Sequence, residues 1–285
     1  MDILHRIEDV RTQVRQWRGE RLRIGLVPTM GNLHQGHLQL VKAAQDEADR
    51  VIVSIFVNPT QFGVGEDYET YPRTLDEDCA KLRTLGVDVV FAPSVAAMYP
   101  DGPELRTRVS VPELANTLCG AWREGHFDGV ATVVSKLFNI VGPDVAAFGK
   151  KDYQQLRVIE RMVRDLNFPV RILPVETLRE ESGLAMSSRN GYLTVEEKGR
   201  AAVLYQTLCE ARERLLRGEP FAEVEVWGRD RLNASGFRTD YFSVRRAEDL
   251  KEPTTKDTEL VVLAAAWLGK ARLIDNVELS LNLDG

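Results

Sequence analysis

The sequence predicts an α/β protein, a Rossmann-like parallel-sheet nucleotide-binding domain with a smaller C-terminal α+β domain. Three observations lead there. Short β-branched runs alternate with amphipathic helical stripes as far as Val175, which is the rhythm of βαβ units. A stretch bearing two glycines and two histidines, Pro28 to His37, lies at a strand-to-helix junction, where the N–H groups of a helix start favour an anion. Beyond Glu176 the rhythm stops and two helical patterns precede short strands, the mark of a separate α+β unit. Residues 1–175 are therefore assigned to the first domain and 176–285 to the second.

Taken in order, Ile3, Ile7, Val10, Val14 and Trp17 recur at three and four residues and predict an amphipathic helix from Met1 to Arg18, ended by Gly19. Arg23 to Val27 suits a buried strand, and Leu38, Leu40, Val41 and Ala44 beyond the histidines suit a helix. Val51 to Val57 is a continuous β-branched run typical of a strand covered on both faces, and it completes a βαβ unit. Asn58 to Gly63 follows at the carboxyl end of that strand, where open sheets place ligands. Gln61 is thus a candidate substrate contact.

Thr74 to Leu85 reads as a helix with Asp76, Glu77 and Asp78 in its first turn. Acidic residues complement the dipole there, with contacts to magnesium-bound ATP as the second reading. Val87 to Phe91 is a further strand and Tyr99 to Arg108 a loop. Arg123, His126 and Phe127 fall in a loop before a core helix from Gly129 to Val141, and spacing alone assigns them no site role. Val145 to Phe148 is a strand that runs through Gly149-Lys150-Lys151-Asp152 into a helix faced by Leu156, Ile159, Met162, Val163 and Leu166. Two lysines at a helix start oppose its dipole, a local conflict that an anion would relieve. No Ser or Thr follows them, so the segment is not a Walker A loop.

Val170 to Val175 gives the next strand, and Arg179 to Asn190 a polar loop. Its Ser187-Ser188-Arg189 supplies hydroxyl donors and a forked guanidinium suited to a polyphosphate. Thr194 and Glu197 form a capping box at the start of a helix that runs to about Arg217. A second helix covers Phe221 to Ala234, and Tyr241 to Val244, Leu260 to Trp267 and Arg272 to Glu278 are strands.

Composition narrows the function. The 43 acidic against 37 basic residues give a formal charge of −6, which argues against a nucleic-acid partner. Cys79, Cys119 and Cys209 form no CxxC pair, so neither a disulfide framework nor a zinc site is expected. Without an apolar signal core or a run long enough to span a membrane, a cytoplasmic protein with no membrane partner is expected. His34 and His37, three residues apart, are neighbours in a first helical turn and can face one phosphate.

Several stretches together carry a resemblance: Pro28-Thr29-Met30-Gly31-Asn32-Leu33-His34-Gln35-Gly36-His37, Ser54-Ile55-Phe56-Val57-Asn58-Pro59, Tyr71-Pro72-Arg73-Thr74, Gly125-His126-Phe127, Phe148-Gly149 with Lys151-Asp152, Gln154-Gln155, and Met186-Ser187-Ser188-Arg189-Asn190. In these the chain resembles the pantothenate synthetases of the HxGH nucleotidyltransferase superfamily over nearly its whole length.

The resemblance implies ATP-dependent condensation of pantoate with β-alanine through a pantoyl adenylate, with release of AMP and pyrophosphate. It implies catalytic roles for His34, His37, Lys151 and Arg189, with His37 as the usual proton donor. ATP would be held by Met30, Gly31, Asn32, Leu33, His34, Gln35, Gly36 and His37, by Gly149, Lys150, Lys151 and Asp152, and by Leu178, Met186, Ser187, Ser188 and Arg189. Gln61 and Gln155 would hold pantoate and β-alanine. Magnesium is expected with ATP, and a homodimer is implied.

Thr60, Cys119, Lys150 and Ser182 depart from the usual pattern, though none removes a group given chemistry. Two other readings stay open at this point: a nucleotidyltransferase acting on a phosphate acceptor, and a module that binds ATP without turnover.

Overall fold

Strands β1 (Asp2–Leu4), β2 (Ile24–Thr29), β3 (Arg50–Ile55), β4 (Val89–Phe91), β5 (Val145–Gly149) and β6 (Arg171–Val175) form one parallel sheet in the order β1-β4-β3-β2-β5-β6. The computed structural model describes residues 1–63, 65–104 and 107–281. The sheet and its helices form one unit, Met1–Lys150 with Val158–Glu176; Lys151–Arg157 and the chain from Thr177 onward form a second. Residues 105 and 106 of the predicted loop Tyr99 to Arg108, and residues 282–285 of the predicted second domain, lie outside the described residues.

Helices of the first unit are α1 (Ile7–Gly19), α2 (Gln35–Glu47), α3 (Leu75–Thr84), the three four-residue helices α4 (Val95–Met98), α5 (Pro112–Ala115) and α6 (Cys119–Trp122), then α7 (His126–Val141) and α8 (Tyr153–Asp165), whose first residues group with the second unit. The sheet core joins Val27 of β2, Val53 of β3, Val90 of β4 and Ala147 of β5 to Leu38, Val41 and Ala44 of α2 and Leu82 of α3. Leu26, Ile52 and Ala146, which alternate with these, are fully buried as well, and this accounts for the β-branched runs, since strands covered on both faces have no solvent side to make polar. Strand β2 has β3 on one side and β5 on the other, and the direction of winding changes between β2 and β5. The carboxyl ends at such a switch point are where open α/β sheets bind ligands.

In the first unit two boundaries differ from expectation by three residues or more. The chain start is an edge strand, with Asp2, Ile3 and Leu4 paired to Val89, Val90 and Phe91, and the helix begins only at Ile7. Ile3 fits the helical stripe, but pairing with β4 is a tertiary gain that local periodicity does not register. Helix α7 starts at His126 rather than Gly129, after Gly125 in a left-handed conformation at φ 74°. His126 and Phe127 are therefore buried first-turn residues, not loop.

The second unit holds α9 (Val195–Ala201), α10 (Val203–Leu216) and α11 (Phe221–Ala234), with an antiparallel sheet β7 (Arg238–Arg246), β8 (Glu259–Leu268) and β9 (Ala271–Ser280) in that order. Leu204, Leu208, Val224 and Leu232 pack with Phe242, Val262 and Val277. The Thr194–Glu197 capping box is present, with Thr194 N–H donating to Glu197 Oε2 at 2.8 Å and Glu197 N–H to Thr194 Oγ1 at 3.2 Å. The single helix predicted from Thr194 to Arg217 is broken at Ala202. Lys151–Arg157, placed by sequence in the first domain, groups with the second unit because Tyr153 Oη donates to Ala247 O and Glu278 Oε1, while Asn276 Nδ2 donates to Lys151 O.

Candidate active site

The Met30–His37 stretch leaves β2 at Thr29 and turns into α2 with His34 as N-cap. Gly31 at φ 82° and Asn32 at φ 51° make the turn. A Cβ at Gly31 would lie 3.1 Å from Ile55 Cγ2 and 3.2 Å from Asp78 Oδ2, so a side chain there meets both backbone strain and crowding.

The two histidines build a reciprocal cap. His34 Nδ1 accepts from Gly36 N–H at 3.1 Å, His37 Nδ1 accepts from His34 N–H at 3.2 Å, and the ring centroids are 4.1 Å apart. An Nδ1 that accepts a peptide N–H puts the neutral ring's proton on Nε2. Both imidazoles therefore offer Nε2–H as their donor.

The loop's own N–H groups are largely engaged from within. Gly31 N–H donates to Thr29 Oγ1 at 3.2 Å, Asn32 N–H to Asp78 Oδ2 at 2.8 Å, and Leu33 N–H to Asp78 Oδ1 at 2.7 Å. These three amides are satisfied by neighbouring oxygens.

The acidic triplet on α3 divides. Asp76 and Glu77 are exposed, whereas Asp78 is fully buried; consecutive helical residues do not share a face. Asp78 also accepts from Thr74 Oγ1 at 3.1 Å and lies 3.9 Å from Lys81 Nζ. With both oxygens taken by protein donors, Asp78 does not fit the magnesium contact suggested for it. Among the described residues no group of three or more His, Cys, Asp or Glu is placed to hold a metal ion.

Gln61 is buried in the turn that ends β3's following loop, where Asn58 caps a 3-10 turn over Pro59–Gln61. Asn58, 1% exposed, donates Nδ2–H to Gln61 Oε1 at 3.0 Å and to Gly129 O at 3.2 Å. Its Oδ1 accepts from Tyr99 Oη at 2.8 Å and Thr60 Oγ1 at 3.0 Å. Burial pushes the Tyr99 phenol above its ordinary value of 10.0, which keeps it a donor. The amide of Gln61 is thereby oriented with its oxygen toward Asn58 and its Nε2 toward Met30 Sδ, 3.1 Å away. Helix α7 reaches this turn closely because Gly129 lacks a Cβ, which would lie 2.3 Å from Thr60 O.

A relay holds the backbone of Gln61 as well. Arg123 Nη1 can only donate, so His126 Nε2 accepts from it at 2.9 Å and His126 Nδ1–H donates to Gln61 O at 2.7 Å. Glu66 receives Arg123 in a fork at 2.6 and 2.7 Å. Asn58, Tyr99, Arg123 and His126 were not assigned site roles by spacing. Asn58 before Pro59 carries a visible N-cap signal, but the others require the fold.

Gly149 ends β5 beside β2, and Lys150 Nζ pairs with Glu176 Oε1 at 2.5 Å. Both lysines lie in a 3-10 turn, Lys150–Asp152, and so precede the first residue of α8. That offset and Glu176 ease the dipole conflict read from sequence. In the second unit Lys151 Nζ lies 3.7 Å from Asp152 Oδ1, and Gln155 is half-buried in the first turn of α8.

Also in the second unit, Ser187 caps a 3-10 turn over Ser188–Tyr192 by accepting Arg189 N–H at 3.2 Å. Met186 N–H donates to Leu178 O at 2.9 Å, and buried Asn190 donates Nδ2–H to Ala185 O at 3.0 Å. Arg179 braces this loop. It forks onto Asp275 at 2.6 and 3.0 Å, donates to Gly183 O at 3.1 Å, and stacks 3.5 Å over the Tyr205 ring.

Comparison with known proteins places a family on this geometry. The family described as Pantoate-beta-alanine ligase matches residues 2–278. The pantothenate synthetase of Alkalilimnicola ehrlichii is 57% identical over 285 residues, 100% of each chain. That of Pseudomonas putida is 54% identical over 282 residues, 99% of this chain and 98% of its own. The crystal structure of pantothenate synthetase from Thermus thermophilus aligns with TM-score 0.90 at 46% identity, covering 97% of this chain and 99% of that one. A pantoate-beta-alanine ligase from Francisella tularensis, complexed with beta-gamma ATP and beta-alanine, aligns with TM-score 0.81 at 38% identity over 97% of both chains.

Proposed function

We infer the chemistry from a chain that belongs to the pantoate-beta-alanine ligase family: it is an ATP-dependent ligase of pantothenate biosynthesis, joining pantoate to β-alanine. The reaction runs in two steps. A pantoate carboxylate oxygen attacks the α-phosphorus of ATP and pyrophosphate leaves. The β-alanine amine then attacks the acyl carbon, AMP leaves with the bonding pair, and the amine gives up a proton. Adenylation is needed because oxide is too poor a leaving group for direct amide formation.

The observation that carries the assignment of roles is the reciprocal histidine cap, which sets Nε2–H as the donor on both His34 and His37. These donors suit the charge that grows on the phosphates as pyrophosphate departs, with His37 as proton donor. Met30 to His37 form the nucleotide loop. Gly149, Lys150, Lys151, Asp152, Leu178 and Met186 are further nucleotide contacts; Lys151 and Arg189 neutralise polyphosphate charge, and Ser187 and Ser188 donate hydroxyls.

Gln61 presents Nε2–H to the pantoate carboxylate, and Gln155 is the second amide for that substrate. A neutral amide orients the carboxylate without the charge pairing that would blunt its nucleophilicity. Magnesium enters with the triphosphate, since Asp78 is committed to the loop. A cytoplasmic homodimer completes the proposal; among the described residues no helix is long and apolar enough to cross a membrane.

Oxygen tracing tests the route. With carboxylate-labelled ¹⁸O-pantoate, one label is expected in AMP for each pantothenate formed. Label confined to pantothenate would contradict acyl adenylation.

A further inference from the structure

We propose that Asp78 is a positioning residue for adenylation, acting through the peptide N–H groups of Asn32 and Leu33, with Lys81 as its companion. The proposal rests on the reading of the histidine loop as the adenylation site. Asp78 is 0% exposed, and a buried carboxylate persists only when donors surround it. It has them in two consecutive peptide N–H groups at 2.8 and 2.7 Å, the Thr74 hydroxyl and the Lys81 ammonium. Lys81 in turn donates to Leu33 O at 2.8 Å. The peptide groups on both sides of Leu33 are therefore held by one i,i+3 pair on α3, with the N–H on the carboxylate and the C=O on the ammonium.

Leu33 immediately precedes His34, whose own N–H is the donor to His37 Nδ1. The clamp consequently fixes the Leu33–His34 peptide plane, which carries the His34 residue and whose N–H holds the His37 ring. It also holds Asn32 at φ 51°, a left-handed conformation that a non-glycine residue seldom keeps without support. The stakes are large, because a misplacement of about 1 Å at a reacting centre costs up to roughly 100-fold in rate.

Asp78→Asn keeps the shape but offers a single acceptor oxygen, and its NH₂ faces a peptide donor. The expected result, in pantoate-dependent exchange of pyrophosphate into ATP, is a kcat lowered by about tenfold or more, with the pantoate KM within about twofold of wild type. The His34 and His37 ring nitrogen resonances are expected to move, which a remote packing role would not cause. A folded Asp78→Asn protein with wild-type exchange and unmoved resonances would overturn the proposal. Should that variant fail to fold, Lys81→Met decides the matter on a half-exposed side chain. A loss of about threefold or more with shifted histidine resonances supports the clamp, and wild-type behaviour overturns it. Wild-type protein that shows no pantoate-dependent exchange defeats the functional reading instead, and the resonances of the two variants then judge the clamp alone.

Discussion

Asn58 Nδ2 lies 3.0 Å from Gln61 Oε1, and this bond decides which end of the Gln61 amide is the donor end. Tyr99 and Thr60 fix the polarity one step back by donating to Asn58 Oδ1. Asn58→Asp cannot donate to Gln61 and leaves that amide free to turn. The pantoate KM is expected to rise about tenfold or more, equal to roughly 1.4 kcal/mol. Tyr99→Phe removes one bond worth about 0.5–1.5 kcal/mol and should have a smaller effect in the same direction. Steady-state KM values for pantoate, with β-alanine saturating, check both.

His37→Ala removes the proposed proton donor and a helix cap together. The adenylation rate is expected to fall at least about tenfold, roughly 1.4 kcal/mol of transition-state stabilisation. Loss of the His37 Nδ1 acceptor at the start of α2 should also cost about 0.5–2 kcal/mol of stability. Urea unfolding measured beside pyrophosphate exchange separates the two effects.

Asp275, 3% exposed, carries the Arg179 fork that braces the loop before Ser187. Asp275→Ala leaves a guanidinium over Tyr205 without its counter-charge, and breaking such a pair typically costs about 3–5 kcal/mol. Denaturant unfolding is expected to show that loss. A change below about 1 kcal/mol would mean that the pair is not a brace.

Glu66 makes stability depend on acid. Burial pushes its carboxyl up, and the Arg123 fork more than offsets this, holding it below the ordinary 4.5. A depressed carboxyl stabilises the fold above its unfolded pKa and loses that contribution as pH falls through its folded value. The stability difference between wild type and Glu66→Gln is therefore expected to be constant near neutrality and to shrink as pH drops below 4.5. Urea midpoints across acidic pH measure it, and a difference that grows on acidification would contradict the fork.

Much of this protein was legible along the chain, for identifiable reasons. The β-branched runs of β2, β3 and β5 and the stripe on α2 report burial locally, so the parallel sheet followed from period and run length. The Thr194–Glu197 box is a short-range signal and was found where expected. Strand β1 was missed because its reason for existing is β4, more than 80 residues away. Asp78 was misread for a related cause. Its position in a helix start looks like dipole complementation, while its partners at Asn32 and Leu33 are 46 and 45 residues distant. The spacing of the histidines suggests that both face one phosphate, but it carries no information on their tautomers, which depend on the bonds to Gly36 and His34.

The most direct test of the central claim is isotope exchange of labelled pyrophosphate into ATP, with pantoate present and β-alanine withheld. Exchange that requires pantoate and proceeds without β-alanine is the predicted result. No exchange with pantoate, ATP and magnesium all present would contradict adenylation at the histidine loop.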